Sequence, residues 1–203
     1  MKNTRVIGRP EQALEAAALA LGRSHGFEEA HARQVTARAL ELFDLLRPLH
    51  CLDDRARLVL LAAGLLHDIG IPESFAGHHK RALAIIRAAA LPGLTSRERL
   101  MAANVGRYHR KREPKRKHAA FAALDKASQA TVKKLAALLR VADVLDREHR
   151  NLVRHITVRQ RGDVVTLVLD AVPGYLPDPA AWARKTDMFN SVFNRRITVR
   201  PQE

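Results

Sequence analysis

Apolar residues recur at three- and four-residue intervals through the first three-quarters of the chain. This predicts amphipathic helices over 11–22, 28–47, 54–69, 78–90, 95–109 and 129–149. Breaks fall at Gly26, Pro48, Gly70-Ile71-Pro72 and Leu91-Pro92-Gly93, where glycine and proline interrupt the period. Thr95 followed by Glu98 is a capping-box pattern that opens one helix, and Ser128 is the expected N-cap of the last. One segment is not amphipathic: Leu58–Leu66, LVLLAAGLL, is apolar all round, so its helix must be buried, yet it runs straight into His67-Asp68.

Beyond about residue 152 the period shortens to two. Ile156 and Val158 alternate with polar residues, Arg161-Gly162-Asp163 supplies a turn, and Val164–Leu169 is β-branched and apolar, which predicts a hairpin. A helix from about Pro179 to Phe193 and a final strand-like stretch, Arg196-Ile197-Thr198-Val199, follow. The expected fold is mainly α. A helical bundle occupies residues 1–150, and a small C-terminal α+β extension, 151–203, packs on it as one structural unit.

Composition narrows the class. Aromatic residues are only 4% of the chain, which disfavours a base-stacking surface, and Cys51 is the one cysteine, which excludes an intramolecular disulfide. The N-terminus lacks the apolar core of a signal peptide, and the longest apolar run is far short of the ~20 residues that cross a bilayer. A soluble, cytoplasmic protein with no membrane contact is expected, and a homo-oligomer is compatible with it. The formal charge of +14 attracts polyanions, whether nucleotides, polyphosphate or nucleic acid.

An imidazole and a carboxylate at the end of a buried helix demand partners, because burying them unpaired costs a few kcal/mol. Hydrogen bonds, each other, or a metal would satisfy them. Other helices carry polar residues of the same character: His31 on the helix of Val35 and Leu42, and Asp143 within the apolar run from Leu135 to Leu145. An aspartate inside a helix needs a reason; pairing with Arg140 or Arg147 is the plain one. The basic run Arg107–His118, RYHRKREPKRKH, holds seven lysines and arginines around a single Glu113, and reads either as a solvated loop or as a phosphate-facing surface.

The ordered series His31, His67-Asp68, Asp143, each on its own helix, resembles the HD superfamily of metal-dependent phosphohydrolases. That resemblance implies a metal site of His31, His67, Asp68, His79, His109 and Asp143, with His78 the alternative to His79. ARALELFDLLRPLH, AAGLLHDIG, GHHK, RYHRK and LLRVADVLDREH, spread over roughly 28–200, are similar to the C-terminal helical domain of the exopolyphosphatase and guanosine-pentaphosphate phosphatase family. Arg81 stands where that family commonly has a histidine, and the family's actin-like domains have no counterpart in this sequence, so a separate actin-like partner is conceivable.

What the resemblance implies is one or two divalent ions, with manganese, iron, cobalt or nickel better suited to imidazole and carboxylate than magnesium alone. Asp68 would bridge two ions ~3.5–4 Å apart and be the catalytic carboxylate, beside a water they acidify. Arg107, Arg110, Lys111, Arg112 and Lys115 would bind phosphate. The expected function is hydrolysis of a phosphate-rich anion: a nucleotide, a guanosine polyphosphate or polyphosphate. The alternative is a non-catalytic polyphosphate- or nucleotide-binding regulatory module that retains a metal. Nucleic acid is the weaker partner.

Overall fold

The computed structural model describes residues 8–110 and 113–202. Six helices build the bundle: α1 (Arg9–Ser24), α2 (Glu29–Leu45), α4 (Asp54–Leu66), α5 (His78–Ala88), α6 (Ser96–Arg107) and α8 (Lys126–Leu145). Two one-turn helices, α3 (Arg47–His50) and α7 (Ala119–Ala122), connect them; neither is predicted by periodicity, since four residues are too short to show a period. Helix α4 is the centre of the bundle, in contact with α1, α2, α6 and α8, which explains its all-round apolar run Leu58–Leu66.

Caps fix the helix ends. Asp53 accepts the Ala56 amide at the start of α4, and Thr95 and Glu98 form the reciprocal capping box at the start of α6. Helix α8 begins earlier than predicted: Asp125 is its N-cap, accepting from the Ser128 amide, so Ser128 is the third helical residue rather than the cap. The helix also ends earlier, at Leu145, which places Asp143 in its last turn instead of its middle. Residues 67–69 and 108–109 likewise lie just beyond their helices, in turns.

Two glycines let elements approach closely. A Cβ on Gly64 would stand 3.2 Å from the Cα of Thr36, so α4 meets α2 backbone to side-chain root at that point. A Cβ on Gly70 would stand 2.5 Å from the His78 carbonyl oxygen, where the turn after α4 meets the start of α5. Both contacts bear on the candidate site.

The tail forms a three-stranded sheet in the order β1 (Val153–Arg161), β2 (Val164–Ala171), β3 (Arg196–Pro201). The predicted hairpin is β1 antiparallel to β2; β3 pairs parallel to β2, because α9 (Pro179–Phe193) carries the chain back along the sheet between them. Helix α9 packs on α8, and β1 touches α2. The buried cluster is continuous from Leu14 in α1 through α4 and α8 to Phe189 and Ile197 in the tail. Among the described residues, no helix is long and apolar enough to cross a membrane.

Candidate metal centre

Five separate segments of the bundle deliver six side chains to one point. His31 comes from the first turn of α2, His67 caps the C-terminus of α4, Asp68 follows in the turn, His78 opens α5, His109 lies just past α6 and Asp143 sits in the last turn of α8. All four histidines are buried. Asp68 Oδ1 lies 3.3 Å from His78 Nε2 and 3.2 Å from His109 Nε2, while its Oδ2 lies 3.4 Å from His67 Nε2 and 3.9 Å from His31 Nε2. Asp143 Oδ1 is 3.7 Å from His31 Nε2 and 3.9 Å from His67 Nε2.

The other ring nitrogens reveal the proton pattern. Nδ1 of His67, His78 and His109 donates to the carbonyls of Gly64, Phe75 and Gly106 at 2.7, 2.8 and 2.6 Å. Nδ1 of His31 lies 2.8 Å from Asp146 Oδ2. Carbonyl and carboxylate oxygens accept here, so these Nδ1 atoms carry protons and Nε2 is the ring atom each histidine turns inward. Those Nε2 atoms face carboxylate oxygens across a gap that a cation would fill. His31 Nε2, His67 Nε2 and Asp68 Oδ1 are buried with no hydrogen-bond partner.

The local electrostatics agree. Burial holds the His67 imidazole down at about 4, so it is neutral near pH 7. Burial would raise the Asp68 carboxyl, but His67, His109 and His78 together hold it well below the carboxylate range. Asp143 is opposed by burial in the same way and is brought to about 2, chiefly by the Lys185 ammonium and then by His109 and His67. For His31, burial is outweighed by Asp146, Asp143 and Asp68, which raise it. The pocket attracts positive charge.

Two donor trios, each with its ligand atoms within 4.8 Å of one another, can hold a metal: His31, His67 and Asp143, and Asp68, His78 and His109. The donor set fits a divalent ion, with ligands of the right type, oriented rings and orphaned lone pairs.

Some residues inferred from sequence stand elsewhere. His78, not His79, belongs to the cluster; His79 is the next residue of α5, so its ring projects about 100° away around the helix, and burial with the neighbouring His78 lowers it to about 4. Arg107 places its guanidinium over the Tyr108 ring rather than in the cavity, and Lys115 is exposed. Arg110 does line the cavity, 4.8 Å over the Phe75 ring, whereas Lys111 and Arg112 lie outside the described residues. Arg81 braces the turn before α5 by donating to the Ser74 and Ala76 carbonyls.

The cavity before the ligands measures about 270 Å³, and Arg147, His149 and Lys185 join Arg110 on its wall. His149 stacks on His31 at 3.7 Å between ring centroids. A larger cavity of about 510 Å³ beside the Val172–Tyr175 turn contains the Arg154–Asp170 ion pair and none of the histidines. Sequence reasoning missed Asp146, His149 and Lys185, and named Arg147 only as a pairing partner for Asp143. Asp146 had a signal, since it follows Asp143 at the three-residue spacing that places side chains on one helix face. Lys185 had none.

The family model for Ppx/GppA phosphatase, domain III, matches residues 15–180. The chain belongs to this family. Its domain III match takes in all six ligand candidates and ends before Lys185. No curated protein matches the chain.

Proposed function

We propose that this domain III chain is a metal-dependent phosphohydrolase of the HD type acting on a phosphate-rich anion. The observation that carries the reading is the inward turn of four Nε2 atoms onto Asp68 and Asp143. Three of the inward atoms, His31 Nε2, His67 Nε2 and Asp68 Oδ1, are buried without a hydrogen-bond partner, a cost that a bound divalent ion would relieve. His31, His67 and Asp143 would hold one ion and Asp68, His78 and His109 another, with Asp68 turned to both trios. A bound divalent ion supplies Lewis acidity for phosphoryl oxygen and makes water acidic enough to ionise near neutral pH.

The chain's own residues do the rest. Arg110 and Arg147 line the cavity and would bind the non-bridging oxygens of the substrate, neutralising charge that grows as the phosphoryl group is transferred. Phe75 holds the Arg110 guanidinium in place by its ring face. Carbonyl and carboxylate bonds at each Nδ1 keep the imidazoles in one tautomer and one orientation, so no reorganisation is needed when substrate enters. Guanosine polyphosphate, other nucleotides and polyphosphate all carry the charge this cavity favours.

The test is phosphate release across that panel by the chain stripped of metal and reloaded with manganese or cobalt. Asp68→Ala should abolish metal-stimulated release. A reloaded chain that hydrolyses nothing, or an Asp68→Ala variant as active as the wild type, would exclude the reading.

A further inference from the structure

Lys185 reaches the centre from beyond the family match, which ends at residue 180. It stands in the middle of α9, and its ammonium donates to Asp143 Oδ2 and, at 3.0 Å, to the His109 carbonyl. It thus touches one residue from each donor trio. A second tie holds α9 in place: the fully buried Arg140 donates to the Tyr108 carbonyl at 2.8 Å and to Asp187 at 3.0 Å. The oxygens of Asp143 are therefore divided. Oδ1 faces the Nε2 atoms of His31 and His67, and Oδ2 is taken by the tail's ammonium.

We propose that Lys185 is a resident cation of the centre, supplied by the C-terminal helix, which competes with a divalent ion for Asp143. It would thereby lower metal occupancy on the His31–His67–Asp143 side relative to the Asp68–His78–His109 side. The inference rests on the metal-binding part of the proposed function.

Two effects of Lys185 oppose each other, and their sizes decide the sign. A hydrogen bond that orients a ligand typically strengthens metal binding by about 10–100-fold. A unit charge on the same carboxylate as a dication, in a cavity only partly open to water, repels it by more than that. Asp143 is 13% exposed and Lys185 20%, so solvent screens the pair only in part. On the other side of the centre the adjoining cation, Arg110, approaches Nδ1 of His78 at 3.5 Å and packs over Phe75 instead of sharing the Asp68 carboxylate. Removing the Lys185 charge should therefore tighten one site and spare the other.

Calorimetric titration of manganese into the metal-stripped full chain, without substrate, reads this directly. The wild type should bind one ion tightly and one weakly. Lys185→Met should tighten the weak step by roughly tenfold or more and leave the tight step nearly unchanged, whereas Lys185→Arg, which keeps the charge, should leave the weak step weak. An unchanged or weakened second step in Lys185→Met, or equal tightening in Lys185→Arg, overturns the proposal and makes Lys185 a strut.

Should the methionine variant not fold, amide exchange in the wild type provides a second reading. Manganese should speed exchange over 182–189, where α9 loses its tie to Asp143; unchanged or slowed exchange overturns the proposal. A wild-type chain that takes up no ion removes the metal reading and this inference together. Uptake that is indifferent to Lys185 removes this inference alone.

Discussion

Asp146 Oδ2 lies 2.8 Å from His31 Nδ1, and both side chains are almost wholly buried. The pair joins the C-cap of α8 to the first turn of α2, and Asp146 Oδ1 also accepts the Asn151 amide at 2.7 Å, fixing the chain where it leaves the bundle for the sheet. A carboxylate behind a ligand histidine raises the basicity of the inward nitrogen and locks the ring. Asp146→Asn keeps the size and loses the charge. Manganese affinity of this variant should fall by about 10–100-fold with the fold intact by circular dichroism; equal affinity would show that Asp146 serves only the helix end.

The adjacent histidines of α5 give a sharp comparison. Of the two, His78 places Nε2 3.3 Å from Asp68 Oδ1 and faces His109, and His79 is outside the cluster. His78→Ala should lower the number of manganese ions bound, measured by elemental analysis after gel filtration, and His79→Ala should not. The opposite result would place the start of α5 a residue out of phase.

Gly64 tests the packing beneath the site. An added methyl would meet the Thr36 hydroxyl at 2.7 Å and its Cα at 3.2 Å, and the Gly64 carbonyl is the acceptor that orients His67. Gly64→Ala should cost about 1–3 kcal/mol in urea unfolding, as overpacked cores do, and should weaken metal binding as well. Loss of stability with undiminished metal affinity would separate the packing from the site.

The start of α6 should show acid sensitivity. The Arg55 ion pair outweighs burial and, with the Thr95 cap, lowers Glu98 from its ordinary 4.5 to about 2. A carboxyl depressed on folding stabilises the folded state above its unfolded pKa, and that stability drains away as pH falls from about 4.5 toward 2. Glu98→Gln removes the ion pair but keeps a capping-box side chain. It should cost about 1 kcal/mol above pH 5, and the difference from wild type should close near pH 2, as followed by denaturant unfolding. A constant gap across that range would mean that Glu98 acts through packing.

Metal removal should be visible in stability. An ion bound only by the folded chain adds roughly 2.7 kcal/mol when present at a hundred times its dissociation constant. Chelation should therefore lower the melting temperature, and adding manganese back should restore it. A melting curve indifferent to both would argue against any ion at the His31–Asp143 cluster.

Much of this molecule is determined by local sequence. The period of apolar residues places the long helices, Thr95 and Glu98 mark a helix start, and the apolar run Leu58–Leu66 ending in His67-Asp68 announces a buried polar point. Those signals are short-range: caps, turn residues and face periodicity act within a few residues, so one chain suffices to read them. The tertiary structure decides which of two neighbouring histidines faces the cluster, because the ten residues between His67 and α5 set the phase at which that helix begins. It also decides which cations matter. The basic run after α6 is conspicuous in sequence, yet of its described members Arg110 faces the cavity while Arg107 and Lys115 do not. The cation that does touch a carboxylate of the centre, Lys185, lies 42 residues from Asp143. No local pattern couples those positions; the crossover from β2 through α9 to β3, and the packing of α9 on α8, bring them together.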